Sequence, residues 1–194
     1  MTQTSAAGGS VERFEALYEA SPDPWNYASS DYEREKYAAT LAAVGTGPFD
    51  RALEVGCSIG VFTELLAPRC KQLVAMDFAP SALELAEERL GERADVELLC
   101  GSFPEQAPAG RWDLVVCSEI LYYLQRPALR KAIAWLEQAL SEGTRLVVVS
   151  WRGPGETEPL RGDWVHDKLQ TRLGPWHELD ARRPSYRLDR FESR

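Results

Sequence analysis

Apolar positions follow two alternating patterns along most of the chain. Between residues 51 and 151, short continuous apolar runs are separated by longer segments in which apolar residues recur every three or four positions. Continuous runs are typical of buried strands, and the longer spacing is typical of amphipathic helices. This alternation predicts an α/β fold with a parallel sheet covered by helices on both faces.

Five strands and three intervening helices are predicted in this part of the chain. The strands cover residues 52–55, 73–77, 96–100, 113–117 and 145–151. The helices run through Phe62, from Pro80 to Gly91, and from Pro127 to Leu140. Proline is favoured in the first turn of a helix and glycine just beyond the last, which supports these limits.

The two ends of the chain carry weaker patterns. Residues 11–20 and 31–44 each predict a helix, and together they suggest an N-terminal helical flap over the rest of the chain. A helix over 163–173 and short strands over 176–179 and 186–191 are predicted near the other end. The link between these two strands is too short for a crossover helix, so we expect an antiparallel edge.

The first strand ends in a glycine turn. Gly56 follows the strand directly, and a helix restarts near Gly60. Glycine lets backbone N–H groups approach a ligand, and a helix N-terminus favours negative charge there. Asp77 ends the second strand, where a carboxylate suits the two hydroxyls of a ribose. The pair predicts a nucleoside-binding site.

These features predict one domain over residues 1–194. Its 194 residues, of which 44% are hydrophobic, can bury one substantial core. We expect a three-layer Rossmann-like sheet of about seven strands, mostly parallel with an antiparallel C-terminal edge. Residues 1–48 would form the flap, 49–151 the cofactor-binding core, and 152–194 the C-terminal helix and edge strands.

Composition excludes several classes of binding partner. A formal net charge of -8 repels polyanions, so no nucleic-acid partner is expected. The chain lacks both a secretion signal and an apolar run of the ~18 residues that a membrane span needs, so we predict a cytoplasmic protein without membrane contact. The four cysteines stand far apart without a nearby histidine cluster, so no metal site is expected.

Several motifs resemble those of class I S-adenosylmethionine-dependent methyltransferases. They are Glu54-x-Gly56-x-x-x-Gly60, Asp77, Gly101-Ser102-Phe103 and the segment 112–119. Segments 22–25, 32–37, 162–167 and 186–190 resemble, more narrowly, the NodS-like N-methyltransferases. The resemblance implies methyl transfer from S-adenosylmethionine to the free amino group of an amino sugar or a partly deacetylated chitooligosaccharide.

The same resemblance implies a role for each cofactor residue. Gly56 and Gly60 would line the methionine end, and Glu54 would lie beneath the turn or near the methionine amino group. Asp77 would bind the ribose, and Phe78 would cover one face of the adenine. Glu54 has an alternative structural role, because its carboxylate can satisfy backbone donors of the turn.

Other residues complete the implied cofactor site. Ser102 and Phe103 would border the adenine edge, and Ser118 follows the fourth strand at the same edge of the sheet. The chain departs from the family pattern twice. Ser58 replaces a frequent glycine, and Ser102 replaces a frequent aspartate, which would make the adenine contact weaker or dependent on the backbone.

An amine acceptor must lose a proton before it attacks. Glu119 is expected to orient it, because a carboxylate attracts an ammonium but also favours its protonated form. His166 is then expected to accept the proton if its helix reaches the site; the alternative is a surface histidine. Aromatic side chains are expected to bind the acceptor: Trp25, Tyr122, Tyr123 and Trp151. Trp25 has a second possible role, as a hydrophobic anchor of the flap.

Three competing hypotheses remain. The first is a methyltransferase that acts on a different small-molecule hydroxyl or amine. The second is a protein that binds a nucleoside without catalysis. A nicotinamide-dependent dehydrogenase is disfavoured because no second mononucleotide-binding half follows. Tyr32 and Lys36 have the Tyr-x-x-x-Lys spacing of such enzymes, but they precede the glycine turn, so a solvated helix face is expected for them. The oligomeric state is left open.

Overall fold

The computed structural model describes residues 11–153 and 159–193. Its helices are α1 (Val11–Ala20), α2 (Asp31–Val44), α3 (Val61–Leu66), α4 (Pro80–Leu90), α5 (Arg126–Ser141) and α6 (Gly162–Leu173). Its strands are β1 (Ala52–Val55), β2 (Leu73–Asp77), β3 (Val96–Cys100), β4 (Leu114–Ser118), β5 (Arg145–Trp151), β6 (His177–Arg182) and β7 (Tyr186–Glu192). The outer limits of the predicted domain, residues 1 and 194, lie outside the described residues.

The seven strands form one sheet in the order β3-β2-β1-β4-β5-β7-β6. β1 to β5 are parallel, whereas β7 runs antiparallel to both β5 and β6. The predicted mixed sheet with an antiparallel C-terminal edge is therefore confirmed. Strand order reverses between β1 and β4, and ligands of such sheets bind beyond the carboxyl ends of the strands at that point.

Helices cover both faces of the sheet. Leu53 and Val55 of β1 belong to an apolar core that includes α5 and α6. Ala52, on the other face of the same strand, packs in a core with Phe62 of α3 and Tyr37 of α2. Because neighbouring residues of a strand point to opposite faces, a short buried run such as β1 supplies both cores. The result is the expected three-layer arrangement.

The two N-terminal helices lie in different places. α1 buries Phe14 and Tyr18 against Ile59 of the glycine turn and Ala82 of α4. α2 begins after Ser30, whose hydroxyl accepts a hydrogen bond from a backbone N–H of the first turn. Its side chains join the sheet core beside α3, and its Tyr37 lines the recess at the glycine turn. Among the helices of the described segments, none is long and apolar enough to cross a bilayer.

Candidate active site

The glycine turn is held tightly against the ends of two strands. The N–H groups of Gly56 and Cys57 donate to the carbonyl of Met76, at 2.9 and 3.1 Å. Gly56 has a φ of 83°, and a Cβ there would lie 3.1 Å from the carbonyl oxygen of Ser118. Both the left-handed backbone and the close approach require glycine at this position.

Gly60 allows α4 to pack closely against the turn. Its φ is 76°, and a Cβ on it would lie 3.1 Å from the Cβ of Ala86 in α4. Glycine at this point lets α4 approach the turn closely. Ser58, in the same turn, also has a positive φ, of 49°.

Asp77 contacts the glycine turn directly. Its Oδ2 accepts the backbone N–H of Ser58 at 2.9 Å, and its Oδ1 accepts that of Ala79 at 3.0 Å. Burial raises the pKa of Asp77, and these backbone hydrogen bonds oppose that rise. The structure therefore brings together the turn and the carboxylate that the sequence predicts to share a site.

Glu54 lies beneath the turn in a narrow recess. The recess is also lined by Gly56, Ser58, Ser118 and Glu119. Glu54 is 1% exposed, and its Oε2 has no hydrogen-bond partner. Burial raises the pKa of Glu54 to about 7. A buried carboxylate oxygen without a donor is costly, and a ligand cation would offset that cost.

A wider cleft of about 300 Å³ adjoins the recess. Its lining is mainly aromatic and includes two carboxylates: Trp25, Tyr27, Tyr32, Glu33, Lys36, Glu119, Tyr122, Tyr123 and Trp151. All four aromatic residues predicted to bind the acceptor therefore lie in one cleft. Tyr27 and Glu119 line both the cleft and the recess, so the two spaces meet at these residues.

The Glu119 carboxylate is held by three donors. Its Oε1 lies 2.7 Å from Lys36 Nζ, and its Oε2 accepts the Tyr122 hydroxyl at 2.6 Å and the Trp151 N–H at 2.8 Å. The residue itself has a φ of 56°. A non-glycine residue in this region is strained and needs surrounding contacts to keep it there. Two carboxylate oxygens offer about four acceptor positions, so one remains for a ligand.

Lys36 corrects the sequence interpretation most clearly. Its side chain is 2% exposed and lies between Glu33, at 2.9 Å, and Glu119. The predicted solvated helix face is therefore wrong. The buried positions of α2 form one helical stripe that contains both charged residues: Glu33, Lys36, Tyr37, Thr40, Ala43 and Val44.

His166 requires a second correction. It is fully buried, and its Nδ1 lies 2.7 Å from Asp189 of β7. Asp189 also pairs with His177 and accepts a hydrogen bond from Gln170. His166 lines neither the cleft nor the recess. The turn of α6 that carries it faces the antiparallel edge of the sheet, so the expected surface position is equally wrong.

The residues expected around the adenine lie outside both spaces. Phe103 is buried and packs edge-on against Trp135, at 5.3 Å between ring centroids. The Ser102 N–H donates to the side chain of Gln106 at 2.9 Å. Phe78 is partly buried and meets Phe14 of α1 edge-on, at 5.0 Å. α1 thus covers the side of the turn on which Phe78 stands.

No group of three or more His, Cys, Asp or Glu side chains that could hold a metal ion occurs within residues 11–153 and 159–193.

Comparison with known proteins adds independent findings. A family model described as nodulation protein S (NodS) matches residues 14–155. Nodulation protein S of Rhizobium tropici is 36% identical over 135 residues, which cover 69% of this chain and 57% of the relative. The corresponding protein of Sinorhizobium fredii is 34% identical over 130 residues, covering 66% and 60%. The chain thus spans somewhat more than half the length of these relatives.

A solved structure matches nearly the whole fold. The crystal structure of the N-methyltransferase NodS from Bradyrhizobium japonicum WM9, in complex with S-adenosyl-L-homocysteine, superimposes with a TM-score of 0.78 at 25% identity. The match covers 94% of this chain and 98% of that one.

Proposed function

The chain belongs to the NodS family, and on that premise we propose that it transfers a methyl group from S-adenosylmethionine to an amine in the aromatic cleft. One observation carries the proposal. Glu119 lines both the recess beneath the glycine turn and the aromatic cleft, so a group held in one space can react with a group held in the other.

The residues around the recess suit the cofactor chemically. Glu54 offers a buried oxygen that lacks a hydrogen-bond partner, which suits the ammonium of the methionine portion. Asp77 uses its oxygens for two backbone N–H groups and keeps acceptor positions for the ribose hydroxyls. Ser118, at the edge of the recess, and the backbone of Gly56 would border the sulfonium.

The space beneath the turn must widen before the cofactor binds. The recess has a volume of about 20 Å³, which is room for about one water molecule and far too little for an adenosyl group. Tyr18 and Phe14 of α1 pack over the turn and over Phe78. We propose that α1 moves away to admit the adenosyl group and that Phe78 then contacts the adenine. The roles of Ser102 and Phe103 at the adenine edge stay a prediction.

The cofactor supplies an already activated methyl group. The chain's own residues then orient the acceptor and exclude water. Glu119 would accept a hydrogen bond from the acceptor nitrogen through its remaining acceptor position and so orient the amine, and the proton that the ammonium must lose would pass to solvent at the mouth of the cleft.

The cleft fits an amino sugar. Sugar rings pack well on aromatic faces, and Trp25, Tyr123 and Trp151 border the cleft beside the carboxylates. We propose the free amino group of an amino sugar or of a partly deacetylated chitooligosaccharide as the acceptor. A cytoplasmic location and the absence of nucleic-acid partners stay predictions from composition.

Product mass tests this proposal directly. The protein is incubated with S-adenosylmethionine and a tetramer of glucosamine, and the fully N-acetylated tetramer serves as the matched control. We expect a gain of one methyl group on the first compound alone. Methylation of a phenol or another hydroxyl instead would support a different acceptor. Cofactor binding without methylation of any of these amines, phenols or hydroxyls would support a non-catalytic nucleoside-binding protein.

A further inference from the structure

A buried row of three charged side chains lines one side of the aromatic cleft. Glu33 and Lys36 stand one turn apart on α2, and Glu119 follows β4. Lys36 Nζ lies 2.9 Å from Glu33 and 2.7 Å from Glu119, and none of the three side chains is more than 10% exposed. One cation between two carboxylates leaves one formal negative charge beside the cleft.

Lys36 has no freedom to react with a ligand itself. Two of its three N–H groups are directed at carboxylates, and the ring centroids of Tyr32 and Tyr37 lie 5.0 and 5.9 Å from its Nζ. Burial lowers the pKa of Lys36, but Glu119 and Glu33 raise it further, so it stands above its ordinary value. Lys36 therefore stays a cation and acts on its neighbours.

The neighbour that changes the site is Glu119. Its φ of 56° is unfavourable for a residue with a side chain. The Lys36 contact fixes Oε1, while Tyr122 and the Trp151 backbone fix Oε2. We propose that Lys36 is a positioning residue that, anchored by Glu33, holds the Glu119 carboxylate with its remaining acceptor position towards the acceptor nitrogen. This inference rests on the proposed function.

The alternative is a purely structural ion pair that joins α2 to the end of β4. A structural pair affects folding, whereas a positioning residue also affects turnover in molecules that remain folded. Replacing one partner of a buried pair leaves an uncompensated charge, so stability changes in either case. The test therefore needs measurements that do not depend on the stability of the fold.

The first experiment compares Lys36→Met, Glu119→Gln and the double variant. Lys71→Met is the matched control, because Lys71 pairs with Asp50 at 2.6 Å on the exposed surface. We measure melting temperature, S-adenosylhomocysteine affinity by calorimetry, and kcat and KM with the glucosamine tetramer. A misplaced catalytic group commonly costs about 100-fold, so we expect a loss of about that size in kcat for Lys36→Met, with cofactor-product affinity nearly unchanged.

The double variant decides whether Lys36 acts through Glu119. We expect its kcat to equal that of Glu119→Gln, because Lys36 has no carboxylate left to position. A loss equal to the product of the two single losses, or an unchanged kcat in folded Lys36→Met, overturns the proposal. Should Lys36→Met not fold, Lys36→Met/Glu33→Gln takes its place, because it removes one of the two carboxylates left without a cation, and the same loss of kcat is expected.

A crystal structure of Lys36→Met, or of Lys36→Met/Glu33→Gln if the single variant is unstable, gives a readout free of activity. We expect the Glu119 side chain to leave the Tyr122 and Trp151 donors or its backbone to leave the left-handed region. An unchanged Glu119 overturns the inference. A wild type that binds S-adenosylhomocysteine but methylates no amine instead contradicts the proposed function, and the crystal structure still decides the role of Lys36.

Discussion

The hydroxyl groups of Tyr18 and Ser58 lie 2.6 Å apart, so the first helix is joined directly to the glycine turn. Tyr18 is buried, and its ring packs near Trp25. The serine therefore provides a partner for α1 that glycine lacks.

Tyr18→Phe should lower the free energy of unfolding by about 1 kcal/mol, the usual contribution of one hydrogen bond. Ser58→Ala should cost a similar amount, and the double variant should cost no more than either one. Urea unfolding of the four proteins measures this. Costs that simply add would show that the two hydroxyls do not stabilise each other.

Gly60→Ala should destabilise the protein more than Gly91→Ala. Both glycines have positive φ values, of 76° and 60°, but only at Gly60 would a new Cβ meet another residue, Ala86 at 3.1 Å. Strained backbone costs about 1 to 3 kcal/mol in either variant, and the close contact adds to it at Gly60 alone. Equal melting temperatures would mean that α4 does not depend on this approach.

Glu54 should make stability depend on pH. Burial raises its folded-state pKa to about 7 from the ordinary value of 4.5. Between these values the unfolded chain binds fewer protons than the folded chain, so stability falls as pH rises and the penalty is complete above the folded-state pKa.

Glu54→Gln should escape this penalty. Its stability relative to wild type should increase by roughly 2 to 3 kcal/mol between about pH 5 and pH 8, while its affinity for S-adenosylhomocysteine falls. Chemical denaturation at both pH values measures the first effect, and calorimetry measures the second. If the difference in stability between Glu54→Gln and wild type is the same at both pH values, Glu54 does not titrate between them.

His166→Gln should affect stability and leave turnover unchanged. Loss of the buried contact with Asp189 should cost about 1 to 3 kcal/mol, whereas His177→Gln should cost less, because His177 is 24% exposed and 3.2 Å from Asp189. Chemical denaturation measures the stability of both variants, and their kcat is compared with that of wild type at the same concentration of folded protein. A large loss of kcat in folded His166→Gln would restore His166 as the proton acceptor.

The sequence predicts the sheet and its mixed edge well because strand length, alternation and glycine placement are local signals. Gly56 and Asp77 could be paired because the ends of neighbouring parallel strands meet. The aromatic cleft also follows from position, since Tyr122 and Trp151 lie at or after the ends of β4 and β5.

The charged part of the site is harder to predict. Lys36 is long and charged, which favours solvent unless a partner is known. That partner is 83 residues away in sequence, and no local pattern indicates the contact. The position of His166 was predicted wrongly for a different reason. Its helix is predicted correctly, but the side of α6 that faces β7 depends on how the whole antiparallel edge packs. The orientation of α6 about its own axis therefore decides whether His166 lies in the site or in the core.

The central claim is that the glycine turn and Asp77 together hold the adenosyl group. Calorimetric titration of S-adenosylhomocysteine into wild type, Asp77→Asn and the exposed control Asp50→Asn tests it most directly. We predict binding of one molecule per chain to wild type and to the control, and a loss of affinity of roughly 10- to 100-fold in Asp77→Asn, as expected for hydrogen bonds to a charged group. Equal affinity in all three proteins, or no binding to folded wild type, would contradict the account.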